Sequence, residues 1–230
     1  MVEWRCRAVG ARTSSCSDRN VMDSAEDRSE KAPNFLIVVS GSSGVGKDAV
    51  IDRFKQLNCP LAYVVTATTR ERRPAEVDGV HYHFLTVDAF QAMVADGRML
   101  EWANVYGNLY GVPRWAVAQA LATGRDVVVK VDVQGAATIR RVVPGALLVY
   151  IRPPSVQELE RRLRMRQSES EDQIAVRLGK AAQEYEQLPV FDYVLTSYPG
   201  RIDDVVSQIK AILVAERARV SPRRVVLNQS

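Results

Sequence analysis

The chain has 230 residues, 47% of them hydrophobic and 25% charged, which is enough for one sizeable core with room for a small appended subdomain. No apolar run approaches the ~18 residues of a membrane span, and the three cysteines (Cys6, Cys16, Cys59) are too few for a disulfide framework and lack metal-ligand spacing, so a soluble protein of a reducing compartment is expected. The net charge of +4 is compatible with nucleic acid, but equally with a protein that handles small phosphorylated molecules.

Residues 1–33 carry scattered Arg and Ser, no apolar periodicity and no hydrophobic region of a secretory signal. Up to Ser17 the segment is Arg-rich with Glu3 as its one acid, as in an organellar presequence, but Asp18, Asp23, Glu26, Asp27 and Glu30 break that pattern. A disordered tail is expected, or a start extended beyond an initiator at Met22. The cytoplasm is the expected location, with plastid or mitochondrion as the alternative if this stretch is a presequence.

After Pro33 the pattern becomes α/β. FLIVVS is a continuous apolar run, the mark of a strand buried on both faces. It leads into Gly41, Ser42, Ser43, Gly44, Val45, Gly46, Lys47 and Asp48, a phosphate-loop signature G-x-x-x-x-G-K whose last position, ordinarily Ser or Thr, is Asp. The following KDAVIDRFKQL has Val50, Phe54 and Leu57 at helical spacing. Glycines let successive N–H groups face phosphate oxygens, the helix adds its positive end, and Lys47 brings a cation to the outer phosphates. The motif alone is weak. Strand before and helix after make it a nucleotide site.

Residues 66–112 change to short segments rich in Thr, Tyr, Gly and Arg, read as an inserted small β-rich subdomain. VVVKVDV (127–133) and ALLVYI (146–151) are further buried-strand candidates. Ser155-Val-Gln-Glu158 reads as a capping box opening a helix with Val156, Leu159 and Leu163 on one face. A second helical stretch carries Ile174, Leu178, Ala181, Tyr185 and Leu188; FDYVL reads as a last strand and DDVVSQIKAILVAE as a closing amphipathic helix. Strands alternating with helices imply a parallel sheet layered by helices. His81 and His83 form H-x-H, but no third ligand is near in sequence, so they are expected as surface residues flanking Tyr82.

The motifs SGSSGVGKDAV, TATTRERRPAEVDGVHYHF, LEWANVYGNLYG, VDVQG, RPPSVQELERRLRMR and ESEDQIAVRL, in this order, resemble the guanylate kinases over residues 34–218. The resemblance implies a P-loop NTPase core, an inserted GMP-binding subdomain (66–112), a helical lid with flanking helices at about 155–180, and a C-terminal tail over 219–230. It implies ATP + GMP ⇌ ADP + GDP with Mg²⁺, in a monomer or homodimer without nucleic-acid or membrane partners. Residues 41–48 then bind ATP. Arg70, Arg73 and Tyr82 match the groups that grip the GMP phosphate, and Thr66 and Tyr110 match contacts to the base and the phosphate. Glu101 and Asp132 match the carboxylates that read the guanine edge, whose N1–H and N2–H₂ donors adenine lacks. Lys47, Arg162, Arg166 and Arg177 match the residues around the transferring phosphoryl group, and Arg162 and Arg166, four apart, share a helix face.

Four positions depart from that family pattern. Asp48 replaces the metal-binding hydroxyl, and Lys130 stands where the family usually has the first acid of D-x-D. These changes read as linked, with Asp48 and Lys130 approaching each other beside the phosphates and Asp48 as a candidate Mg²⁺ ligand. Alternatively, Asp48 only favours the helix N-terminus, a contribution of ~0.3–1 kcal/mol. Val112 stands where Ser or Thr usually reaches guanine O6, which implies a weakened guanine preference. Ser197 stands where Asn is common near the adenine. Two other functions fit the same scaffold: a catalytically inactive guanylate-kinase-like interaction module, and a kinase for another small phosphorylated acceptor. The retained Lys47 and arginines weigh against the first, and Glu101 and Asp132 against the second.

Overall fold

The computed structural model describes residues 34–105, 107–165 and 171–227. The readings placed on residues 1–33, and the role given to Arg166, lie outside the described residues. In chain order the elements are β1 (Leu36–Gly41), α1 (Lys47–Gln56), β2 (Leu61–Tyr63), β3 (Ala67–Thr68), β4 (His83–Phe84), α2 (Val87–Ala95), β5 (Met99–Val105) and β6 (Asn108–Pro113). There follow α3 (Arg114–Ala122), β7 (Asp126–Lys130), α4 (Val133–Val142), β8 (Leu147–Arg152), α5 (Val156–Met165), α6 (Glu171–Tyr185), a 3₁₀ turn at Leu188–Val190, β9 (Tyr193–Thr196) and α7 (Ile202–Arg217).

The strand order β2-β7-β1-β8-β9 makes a five-stranded sheet, parallel throughout. Its centre explains the unbroken apolar run. Strand side chains alternate between faces, so Phe35, Ile37 and Val39 pack with Val50 and Phe54 of α1 and Val205 and Ile209 of α7. Leu36 and Val38 face the other way, onto Val117 of α3 and Ala136 and Ile139 of α4. With helices on both faces there is no polar side to encode.

The second sheet, β4-β3-β6-β5, is mostly antiparallel and lies within the expected insert. It also holds a helix that its β-rich composition concealed. Thr86 caps α2 by accepting from Ala89 N–H at 3.2 Å, and Phe90 of α2 packs against Ala67 and Met99. A second difference lies at VVVKVDV, which is strand only to Lys130. Asp132 stops it: its Oδ1 accepts from Gly135 N–H at 2.8 Å and caps α4, which begins at Val133. At Ser155 half of the capping box forms. The hydroxyl accepts from Glu158 N–H at 3.2 Å, while the Glu158 carboxylate turns to Arg161 and Arg162.

The C-terminal segment, expected as a tail, packs on the body of the protein. Glu216 of α7 is 1% exposed and accepts from Arg223 Nε at 2.8 Å and from the Tyr193 hydroxyl at 2.9 Å. Arg223 also pairs with Asp192, and Val225 and Leu227 cover the α3–α4 side of the core. Removing one partner of a buried pair leaves a carboxylate uncompensated. Arg223→Ala is therefore expected to lower unfolding stability by ~3 kcal/mol in denaturant titration. Arg219→Ala, at an exposed partner 3.6 Å from the same carboxylate, is expected to leave the midpoint unchanged.

Candidate active site

The nucleotide loop leaves β1 at the C-terminal edge of the parallel sheet, where such folds bind their ligands. Gly41 has φ 144°, and a Cβ there would lie 2.1 Å from the Ile151 carbonyl oxygen of β8, so only glycine lets the two strands approach this closely. Gly46 (φ 102°) precedes α1 with no side-chain cap, which leaves the first-turn N–H groups facing the loop. Ser42 is 1% exposed and its Oγ lies 3.0 Å from the hydroxyl of Tyr150, a phenol that burial pushes up to about 12. Lys47 folds back over this loop, donating to the carbonyls of Gly41 and of Ser42 (3.1 Å). Burial lowers the Lys47 ammonium to about 8, against the opposing charges of Glu184 and Asp48. Among the described residues the hydrogen bonds of this ammonium go to neutral carbonyls, which phosphate oxygens can replace.

Two helices lay arginines on that loop. On α5, Arg162 donates to the Val45 carbonyl at 2.9 Å and the Ser197 carbonyl at 2.8 Å, while Glu158 holds its Nε at 2.7 Å. Bonds from Arg161 and Arg162 bring Glu158 down to about 2. On α6, Arg177 donates to Ser43 Oγ at 2.6 Å. Glu184, two turns further along α6, has one buried carboxylate oxygen without a hydrogen-bond partner among the described residues.

The second sheet supplies another cationic cluster. Arg70 Nη2 donates to both carboxylate oxygens of Glu76, at 2.6 and 2.9 Å, and its guanidinium lies 5.7 Å from the Tyr82 ring centre. Glu76 also accepts from the Arg73 N–H at 2.8 Å; burial works against its carboxylate, but these partners hold it below its ordinary value. The Tyr82 and Tyr110 rings meet edge to face at 6.1 Å. Thr66 is buried just before β3, its carbonyl bound by His83 N–H. Arg73 is exposed at the rim.

Two further carboxylates come together where β5 meets the start of α4. Glu101 on β5 is 5% exposed, and the Asp132 cap leaves its Oδ2 buried without a hydrogen-bond partner among the described residues. Gly135 lets them converge, since a Cβ there would sit 2.5 Å from Glu101 Oε2. Burial, and then the Asp132 charge, raise Glu101 to about 8. Asp132 Oδ2, and Glu101 when it is ionised, are acceptors that a ligand presenting donors would satisfy.

Asp48 and Lys130 do meet. The Lys130 ammonium forms an ion pair with Asp48 Oδ1 and donates to the Tyr82 hydroxyl at 2.9 Å. Burial opposes the Lys130 charge, but Asp48 and Tyr82 raise its pKa overall. Among the described residues no three His, Cys, Asp or Glu side chains form a metal-holding group. The Asp48 carboxylate, 70% exposed at the loop, suits Mg²⁺, which binds through one or two carboxylates plus substrate phosphates.

Other motif residues take structural places. His81 Nδ1 accepts from Val77 N–H at 3.0 Å, and the His83 ring lies 5.2 Å from that of Trp115. Val112 is fully buried with Leu36 and Val38, so an apolar residue completes the core there. Ser197 is 4% exposed and receives Arg162. Sequence reasoning missed the groups that orient these residues: Glu76, Tyr150, Glu184 and the Glu158 clamp. Only Glu158 carried a signal, as part of the capping box.

The family model for guanylate kinase matches residues 34–216. The guanylate kinase of Carboxydothermus hydrogenoformans is 40% identical over 191 residues, 83% of this chain and 92% of that protein. That of Bacillus subtilis is 41% identical over 197 residues, covering 84% and 96%. Guanylate kinase 2, chloroplastic/mitochondrial, of Oryza sativa is 40% identical over 192 residues, covering 83% of this chain and 67% of that protein. The crystal structure of guanylate kinase from Anaplasma phagocytophilum aligns with a TM-score of 0.67 at 28% identity, over 85% of this chain and 91% of that one. The family model thus covers most of the chain and these relatives are about 40% identical over most of its length, and the chain belongs to the guanylate kinase family.

Proposed function

We propose that the chain transfers the γ-phosphoryl group of ATP to GMP, and to dGMP, giving ADP and the diphosphate, as a cytoplasmic enzyme of purine nucleotide metabolism. The observation that carries this reading is the convergence of Glu101, buried on β5, with Asp132, whose Oδ2 is buried without a partner among the described residues. The N1–H and N2–H₂ donors of guanine satisfy both carboxylates, and adenine leaves them unpaired, a mismatch that buried polar groups punish heavily. Residues 34–218 form the kinase domain, with 66–112 taking GMP and about 155–180 the lid.

In this mechanism Arg70, Arg73, Tyr82 and Tyr110 hold the GMP phosphate, and Thr66 contacts the base. The loop from Gly41 to Asp48 cradles the ATP phosphates, and Lys47 moves from the Gly41 and Ser42 carbonyls onto the outer ones. Arg162, Arg166 and Arg177 surround the transferring group, where catalysis is positioning and charge stabilisation. Asp48, together with the ATP phosphates, would hold Mg²⁺, which would supply neutralisation of charge on the phosphate oxygens. The intact Lys47 and its arginines leave the interaction-module alternative without support.

A coupled ADP-release assay with GMP, dGMP, AMP, CMP and UMP tests the assignment. GMP is expected to be preferred over AMP by ~100-fold or more in kcat/KM, and turnover should require Mg²⁺. Turnover of AMP as efficient as that of GMP would sink the assignment. Lys47→Ala is expected to cost ~100-fold or more in kcat, and full activity in that variant would move the site elsewhere.

A second expectation concerns pH. Glu101 titrates at about 8 without ligand, and a guanine that donates to it favours the carboxylate, so its pKa falls in the complex. Guanosine affinity should therefore rise with pH up to about 8, by up to about tenfold per unit, and level off above. Calorimetric titration between pH 6 and 8.5 measures this, and the rise should vanish in Glu101→Gln.

A further inference from the structure

The Lys130 ammonium touches both halves of the site. It lies on the last residue of β7 in the core sheet, pairs with Asp48 on the nucleotide loop, and donates to Tyr82 on the second sheet. It is 19% exposed, whereas Asp48 is 70% exposed. Around the same phenol stand the Arg70 guanidinium at 5.7 Å and the Tyr110 ring at 6.1 Å. A cation placed here faces the cluster assigned to the acceptor phosphate, while its counter-charge belongs to the donor side.

We propose that Lys130 is a ligand of the acceptor phosphate, and that Asp48 is the counter-charge that holds this cation until the phosphate takes it. The inference rests on the GMP reading above and assigns that site a binding cation beyond its arginines. A dianionic phosphate beside Tyr82 competes with Asp48 for the same ammonium. Whatever draws Asp48 away from Lys130 at the nucleotide loop strengthens the acceptor site, and by linkage an acceptor on Lys130 frees Asp48 for the donor side. The two members of one ion pair thus have opposite effects on GMP. A purely structural pair gives effects of the same sign, because either substitution breaks it.

The test is calorimetric binding of GMP, guanosine and AMP to the full chain without ATP and with divalent metal chelated. Lys130→Met is expected to weaken GMP at least about tenfold and to leave guanosine within about twofold. Asp48→Asn is expected to tighten GMP by about threefold, with guanosine again unchanged. Unchanged GMP affinity in Lys130→Met, or weaker or unchanged GMP binding in Asp48→Asn, overturns the proposal. If Lys130→Met fails to fold by thermal unfolding, the sign in Asp48→Asn decides alone, since that side chain is mostly exposed. A wild-type chain that binds GMP no better than AMP overturns the GMP reading, and this inference with it.

Discussion

The site depends on one close approach of backbone to backbone. β1 is buried on both faces and lies against β8 so tightly at Gly41 that the Ile151 carbonyl occupies the place of a Cβ. That contact fixes where the chain leaves the sheet, and so where the N–H groups of the loop and of α1 point. Ser42 pinned by Tyr150 and Gly44 packed against Leu163 hold the rest of the loop in place. A phosphate cradle is made of backbone, and backbone is positioned by the core beneath it.

The electrostatic arrangement follows from that frame. Cations approach the loop from α5 and α6, others gather around Tyr82, and the acids Glu101 and Asp132 converge where β5 meets α4. Three of the arginines arrive already held: Arg70 by Glu76, Arg162 by Glu158 and the Val45 carbonyl, and Arg177 by the Ser43 hydroxyl. Such pairing keeps the guanidinium forks ordered, and substrate phosphates need only replace partners. Asp48 and Lys130 fit the same pattern, with the cation on the sheet and the acid on the loop, the reverse of a hydroxyl loop facing an acidic strand end.

Much of this was legible in the sequence, for physical reasons that differ by residue. The run FLIVVS announces a strand with two buried faces, and glycines with Lys47 between a strand and a helix announce phosphate. Asp48 and Lys130 could be paired because each broke the family pattern by opposite charge, and the ion pair is present. Other features, besides the α2 helix of the insert, escaped. VVVKVDV reads as one strand because no apolar pattern records that Asp132 caps a helix. The C-terminal segment reads as a tail because its anchors, Arg223 on Glu216 and Asp192, are long-range charges without periodicity. Glu76 and Tyr150 act through neighbours distant in sequence or through turn geometry, which local spacing does not encode.

The central claim is that the Glu101 and Asp132 carboxylates select guanine while the two cationic clusters hold the phosphates. A crystal structure of the chain with GMP tests it most directly. The account predicts the guanine N1–H and N2–H₂ edge within hydrogen-bond distance of Glu101 and Asp132, with the phosphate among Arg70, Arg73 and Tyr82. A base bound away from both carboxylates, or a GMP phosphate lodged in the Gly41–Asp48 loop, would contradict it.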